Sequence, residues 1–317
     1  MKIPFFWCDM NNFGDALNPI IFKRLLGVDI QYAGLDSAYI IGIGSLLDMC
    51  LMDKHNLKYN KKPIMVFSTG IGFEEGGFFH NPDILLPEKL KRNMKCYALR
   101  GKLTNERVEK MLGHPTGAVI GDGGLLVNKL IDKSKIAPVY DLGIVPHFAD
   151  RDNPIFTKIH QNIPNSVILD PTVSVDDFLH NLCQCRVVIS TAMHPLIACD
   201  ALRIPNMWVR ISETTTSRYK FNDYYSVFDK QKEPFDLRTN PFGKKELSAV
   251  VKNYDISDQA VAQVQDNLMN ALKRIKYDLR KKKARIIINK IVYSFGRIIC
   301  LFVPVRSWRH KIRSWIS

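Results

Sequence analysis

The sequence predicts an α/β chain made of two doubly wound parallel sheets and ending in a basic helical tail. Short apolar runs alternate with amphipathic stretches of helix length, the trace that parallel strands and crossover helices leave. This alternation falls into two series, separated by the polar, proline-ended stretch 131–138. After residue 279 the composition changes to basic and apolar residues with no Asp or Glu.

The first series places strands at 3–7, 38–43, 63–68, 95–100 and 118–120, each followed by a turn rich in Gly or Asn. The second places them at 140–146, 166–169, 186–190 and 206–210. The expected organisation is an N-terminal domain at 1–132, a second doubly wound domain at 139–279 and a tail at 280–317. A length of 317 residues suits two domains, and 46% hydrophobic with 24% charged residues excludes a disordered or collagen-like chain. Seven cysteines, an odd number with no C-x-x-C pair, read as reduced thiols packed as small hydrophobes. The start has too short an apolar stretch and no small-residue cleavage site for a signal peptide, so action in the cytoplasm is expected.

Net charge is +14, and eleven basic residues from Arg280 to Arg313 account for most of it, leaving +3 for residues 1–279. Ile288, Ile291, Val292, Phe295, Ile299 and Phe302 recur at helical spacing, while Lys283, Lys290, Ser294 and Arg297 fall on another face. The longest uncharged run, 298–305, is far below the ~20 apolar residues that cross a bilayer. The expected tail is therefore a basic amphipathic helix lying in the head-group interface of an anionic membrane, with Trp308 and Trp315 among Arg306, Arg309, Lys311 and Arg313. The apolar face suits lipid better than nucleic acid.

In open α/β sheets ligands bind beyond the carboxyl ends of the strands. Five turns there stand out: Asn11-Asn12-Phe13-Gly14-Asp15, Gly42-Ile43-Gly44-Ser45, Gly121-Asp122-Gly123-Gly124, Pro146-His147-Phe148 and Ser190-Thr191-Ala192-Met193-His194-Pro195. The first supplies free backbone N–H groups at a helix start, which cradle an anion, or simply caps the helix. Gly42-Ile43-Gly44 lacks the third glycine of a dinucleotide fingerprint, and no Lys-Ser or Lys-Thr follows Gly121-Asp122-Gly123-Gly124, so nicotinamide cofactors and nucleoside triphosphates are disfavoured. His194 is the most informative residue. Pro195 marks a helix start beside it, which points the imidazole at the crevice, where a bound anion would raise its pKa against the helix dipole. His147 holds the matching place after the first strand of the second series.

Taken in order, several motifs resemble those of the polysaccharide pyruvyl transferase family. They are Asn12-Phe13-Gly14-Asp15-Ala16-Leu17-Asn18, Ala98-Leu99-Arg100-Gly101-Lys102-Leu103-Thr104, Gly121-Asp122-Gly123-Gly124-Leu125-Leu126, Gly143-Ile144-Val145-Pro146-His147-Phe148, Val188-Ile189-Ser190-Thr191-Ala192-Met193-His194-Pro195-Leu196-Ile197 and Lys220-Phe221-Asn222-Asp223-Tyr224-Tyr225-Ser226. The resemblance runs from about residue 5 to 228, and is strongest to the branch that decorates bacterial exopolysaccharides and capsules. It implies a GT-B-like pair of Rossmann-type domains, and transfer of enolpyruvate from phosphoenolpyruvate to two sugar hydroxyls as a cyclic ketal. Phosphoenolpyruvate is then a donor substrate; no cofactor or metal is required.

The chain departs from the family twice. Ala192-Met193-His194-Pro195 stands where members usually have Arg-Leu-His or Ser-Leu-His and then Gly, and Gly121-Asp122-Gly123 where they have Gly-Asp-Pro. A cation must replace the absent arginine, and Arg100, Arg210, Arg218 and Lys220 are the candidates. The chemistry assigns His194 as proton donor or phosphate partner, Asp15 or Asp122 as the carboxylate that activates or binds the sugar, and Arg100 and Lys220 as anion clamps. Asn12, Gly14, Gly44, Ser45, Gly121, His147, Asp223 and Tyr224 complete the expected substrate-binding set, and Tyr219, Tyr224 and Tyr225 near Phe221 offer an aromatic floor for a sugar, or domain packing. A lipid-linked oligosaccharide at the inner face of the plasma membrane is the implied acceptor. The alternatives are a nucleotide-sugar glycosyltransferase, which two such halves also suit, and an inert sugar-binding member.

Overall fold

The computed structural model describes residues 2–8, 10, 12–51, 63–73, 93–212 and 217–302, with backbone alone at 50–51 and 282–302. Residues Met1–Leu272 form one compact unit with two all-parallel sheets. In chain order the first half comprises β1 (Ile3–Phe6), α1 (Phe13–Leu26), β2 (Ile30–Tyr32), β3 (Ile40–Ile41), α2 (Leu47–Leu51), β4 (Ile64–Thr69), β5 (Met94–Leu99), α3 (Lys102–Leu112) and β6 (Val119–Ile120). The second comprises β7 (Tyr140–Val145), α4 (Pro154–Asn162), β8 (Ser166–Ile168), α5 (Val175–Cys183), β9 (Cys185–Ser190), α6 (Met193–Leu202), β10 (Asn206–Arg210), α7 (Arg218–Tyr225), β11 (Phe235–Asp236) and α8 (Lys244–Asn253). A helix α9 then runs from Asp258 to Phe302.

The strand orders are β2-β1-β3-β4-β5-β6 and β11-β10-β9-β7-β8. Each sheet thus begins at an inner strand and reverses direction beside it, at β1/β3 and at β7/β9. These are the two topological switch points. The strands read as apolar runs because crossover helices cover both faces: Val66, Phe67, Ala98, Leu99, Val188 and Ile189 are all fully buried. The edge strands β2 and β11 are partly exposed and carry little apolar signal.

The halves are tied together by side chains of both. Phe13 at the start of α1 packs on Phe178 of α5 with ring centroids 4.4 Å apart, and its N–H donates to Pro171 O at 2.7 Å. Asp223 of α7 accepts from Arg100 Nε at 2.8 Å, and from the Thr104 N–H and hydroxyl at 2.8 and 2.7 Å, closing the start of α3. The stretch 131–138, expected as a linker, contains a short 3₁₀ turn capped by Asp132, and Lys133 Nζ donates to the carbonyls of Leu202 and Arg203. That ammonium satisfies the orphan acceptors at the end of α6.

The second unit, from Lys273, is described by itself as helix up to Phe302. The expected membrane face falls on residues whose side chains are outside the description, and Trp308, Trp315, Arg306, Arg309, Lys311 and Arg313 lie outside the described residues altogether. No described helix is long and apolar enough to cross a membrane.

Candidate active site between two switch points

The turns after β1, β3, β7 and β9 converge on one cavity of about 370 Å³. Asn12, Gly14 and Asp15 line it from the β1 side, Gly44 and Ser45 from β3, His147 and Phe148 from β7, and Ala192, Met193 and His194 from β9, with Lys220 entering from α7. Hollows of about 520 and 630 Å³ lie beside the end of α6 and between α3 and α7, and neither touches a switch point.

Local hydrogen bonding fixes each turn. Asn12 caps α1, its Oδ1 accepting the Asp15 N–H at 3.1 Å while its Nδ2 donates to Asp15 Oδ2 at 2.5 Å. Asn18, one turn on, accepts from Ile43 N at 2.7 Å and donates to Ile43 O at 3.1 Å, so a single buried amide joins the β1 and β3 turns. Gly42 has to be glycine because a Cβ there would meet Asn18 Oδ1 at 2.0 Å. In the second half, Ser190 Oγ accepts from Ala192 N at 2.9 Å and donates to Val145 O at 2.8 Å, and Thr191 Oγ1 accepts the His147 N–H at 2.7 Å. The α6 helix starts at Met193, so Pro195 is its third residue and His194 already lies in its first turn. Ala192 at the N-cap makes no side-chain cap, which leaves donor N–H groups of that turn toward the cavity.

Two helix N-termini, two imidazoles and one amine therefore face a common space. Burial, reinforced by Lys220, Arg100 and His147, pushes His194 down to about 3, and its Nε2 is buried with no hydrogen-bond partner. Burial and Lys220 push His147 down to about 4. Lys220 is pushed down to about 8 by burial and by Arg100, against the opposing pull of Asp15 and Asp150. Both imidazoles are neutral at pH 7 as the side chains stand. An anion among these groups would reverse the shifts, because it stabilises the protonated form of each.

The structure brings Asn12, Gly14, Asp15, Gly44, Ser45, His147, His194 and Lys220 together and keeps five other expected residues away from the cavity. Arg100 is fully buried: besides Asp223 it bonds Ser45 Oγ at 2.7 Å and Ile71 O at 2.5 Å, so its guanidinium braces the Ser45 turn from behind and is no open clamp. Asp223 is its counterion. Asp122 caps the 3₁₀ helix Gly123–Lys129 through Gly124 N at 2.8 Å, in a buried place that pushes its carboxyl up to about 6. Gly121 packs under α9, where a Cβ would meet Val264 Cγ1 at 2.5 Å. Tyr224 donates to Asp200 Oδ2 at 2.7 Å, inside the core.

Of the candidate cations, Arg210 pairs with Asp236 and Arg218 with Glu233, and Lys220 alone lines the cavity. The aromatic floor expected on α7 is packing: Tyr225 and Phe221 are buried, and Phe221 stacks on Trp208 at 4.0 Å. Tyr219 faces the guanidinium of Arg107 at 5.5 Å. Cys8, Met10 and Phe73 also line the cavity, where nothing in the sequence placed them, and Asn18, quoted above only within its motif, ties two of the cavity's turns together. Only Asn18 left a signal, as a polar residue on the apolar stripe of Leu17 and Ile21.

A sequence profile described as polysaccharide pyruvyl transferase matches residues 9–213. An uncharacterised protein of Acanthamoeba polyphaga mimivirus is 26% identical over 183 residues, which cover 56% of this chain and 60% of that one. The succinoglycan biosynthesis protein ExoV of Rhizobium meliloti is 25% identical over 227 residues, covering 70% of this chain and 63% of that protein. The chain thus spans about three fifths of the length of each. A crystal structure of a functionally uncharacterised Klebsiella pneumoniae protein superposes with a TM-score of 0.43 at 14% identity, over 74% of this chain and 92% of that one. Because the profile runs through both switch points and over more than half of the sequence, the chain belongs to the polysaccharide pyruvyl transferase family.

Proposed function

We propose that the protein transfers the enolpyruvyl group of phosphoenolpyruvate to two hydroxyls of one sugar in a lipid-linked polysaccharide repeat, forming a cyclic ketal and releasing phosphate. The observation that carries this reading is the charge design of the cavity: Lys220, His147 and His194 all have depressed pKa values among two helix starts. A ligand with a carboxylate and a phosphate offsets the cost of charging these buried groups and so favours the protonated form of each. With the donor bound, His194 recovers a proton and delivers it to the methylene carbon. The positive charge that develops at the carbon bearing the carboxylate is met by a first sugar hydroxyl, and Asp15 is the cavity-lining carboxylate that takes its proton. Loss of phosphate and attack by the second hydroxyl complete the ketal. One hydroxyl proton is balanced by the new methyl group and the other leaves with phosphate.

Lys220 supplies the cation that Ala192 does not, and the first-turn N–H groups of α6, which no side chain caps, hold the remaining anionic oxygens. In this reading the two doubly wound halves work as a GT-B-like pair, and the basic segment 280–317 holds the enzyme at the cytoplasmic leaflet where the acceptor is assembled. Incubation with phosphoenolpyruvate and membranes of the source organism should release phosphate and add one pyruvyl ketal to the lipid-linked glycan by mass. Absence of both refutes the transfer. Deletion of 280–317 should abolish sedimentation with anionic vesicles; undiminished sedimentation refutes the membrane role.

A further inference from the structure

Eight large apolar side chains are exposed among the described residues, and two of them, Met10 at 47% and Phe148 at 37%, line the candidate active site. Phe148 is not left loose. Its ring lies against the imidazole of His147 with centroids 4.3 Å apart and planes inclined by 36°. His147 is held in turn, its Nδ1 accepting the Ala149 N–H at 3.3 Å and its own N–H donating to Thr191. One side of the phenyl ring is thus backed by a fixed neighbour, while more than a third of the residue remains exposed and the residue lines the cavity. What sets this ring apart from the other exposed apolar side chains is its place on the wall of a cavity with convergent polar groups, the setting in which an aromatic contributes to ligand recognition.

The chemistry of the ring selects its ligand. The π face carries partial negative charge and attracts polarised C–H groups. A hexopyranose offers a patch of such C–H bonds on one face and a rim of hydroxyls at its edge. Phosphoenolpyruvate has no such face, and its anionic groups belong with Lys220 and the helix starts. We infer that Phe148, with Met10 beside the same cavity, is the acceptor platform: a hexopyranose lies with its C–H face on the phenyl ring and its hydroxyl edge toward Asp15 and His194. This inference rests on the pyruvyl transfer reading for its biological meaning, and its test does not.

Saturation-transfer difference NMR on the full chain with methyl β-D-galactopyranoside tests it. The wild-type protein should saturate the sugar's ring protons more than its methoxy group. Phe148→Ala should weaken binding about fivefold, as expected for loss of a ring contact of ~1 kcal/mol, and Phe148→Trp should retain it. Equal binding by wild type and Phe148→Ala, or no saturation of ring protons by wild type, overturns the platform. The donor is read separately, as the melting shift given by phosphoenolpyruvate, which Phe148→Ala should leave at its wild-type size. A protein that binds the sugar through Phe148 yet shows neither that shift nor phosphate release keeps the platform and loses the transfer reading. Loss of the donor shift in Phe148→Ala alone overturns the assignment of Phe148 to the acceptor.

Discussion

A Cβ on Gly14 would stand 2.0 Å from Nδ1 of His194 and 2.5 Å from its Cγ, so the start of α1 and the imidazole in the first turn of α6 meet at a distance only glycine permits. The φ of this glycine is not in the left-handed region, so its conformation would suit any residue. The constraint on position 14 is therefore the histidine from the other half of the chain.

Gly14→Ala should consequently act on catalysis through His194. The added methyl displaces the imidazole, and misplacement by about 1 Å costs on the order of 10²-fold in rate. Stability should fall by about 1–3 kcal/mol through overpacking. Phosphate release and a thermal melt read the two effects; a folded variant with wild-type turnover would show that the position of the ring is irrelevant to the reaction.

The buried pair of Arg100 and Asp223 predicts a different signature. Both side chains are completely inaccessible, and removing one partner leaves a charge uncompensated. Arg100→Leu should cost about 3–5 kcal/mol, with part of the loss recovered by combining it with Asp223→Leu. Urea midpoints of the two single variants and the double variant measure this. Unchanged stability with weakened phosphoenolpyruvate binding would instead restore Arg100 as a direct clamp.

His194 adds a pH dependence to folding. Its folded pKa, about 3, lies below the ordinary 6.5, so the unfolded chain takes a proton that the folded chain refuses. Stability contributed at this position is therefore complete above pH 6.5 and declines as pH falls toward 3, by up to ~1.4 kcal/mol per pH unit. His194→Asn should remove transfer activity and flatten the urea midpoint of the variant between pH 6 and 4 relative to wild type. Parallel midpoint curves for the two proteins would contradict the buried, neutral imidazole.

The site was legible where chain topology decides it. Residues after β1, β3, β7 and β9 can be named from strand runs alone, because a switch point gathers the ends of an inner strand and its neighbour whatever the side chains are. His147 and His194 were found that way. Arg100 also follows a strand, but its partner, Asp223, lies 123 residues further on, and only the packing of α7 on α3 shows that its charge is spent internally. Tyr224 misled for the same reason, since its acceptor Asp200 is on another helix. The edge strands β2 and β11 leave no apolar run to read, because they are only three and two residues long and partly exposed or half-buried.

Lys220 shares a face of α7 with Asp223, one turn away, so the Arg100 anchor that holds the carboxylate also presents the amine to the cavity. With a pKa of about 8, that amine is about half protonated at pH 8. Binding phosphoenolpyruvate, whose phosphate is already fully ionised there, should raise the pKa and draw in roughly half a proton at Lys220, in addition to the proton that His194 recovers. Calorimetric titrations at pH 8 in buffers of different ionisation enthalpy measure the uptake. Lys220→Arg keeps the charge and cannot titrate in this range, so it should bind the donor with about half a proton less uptake than wild type, the proton that His194 recovers remaining, and Lys220→Met should weaken binding at least tenfold. Equal proton uptake by wild type and Lys220→Arg would assign the titrating group elsewhere and remove Lys220 as the replacement for the arginine absent at Ala192.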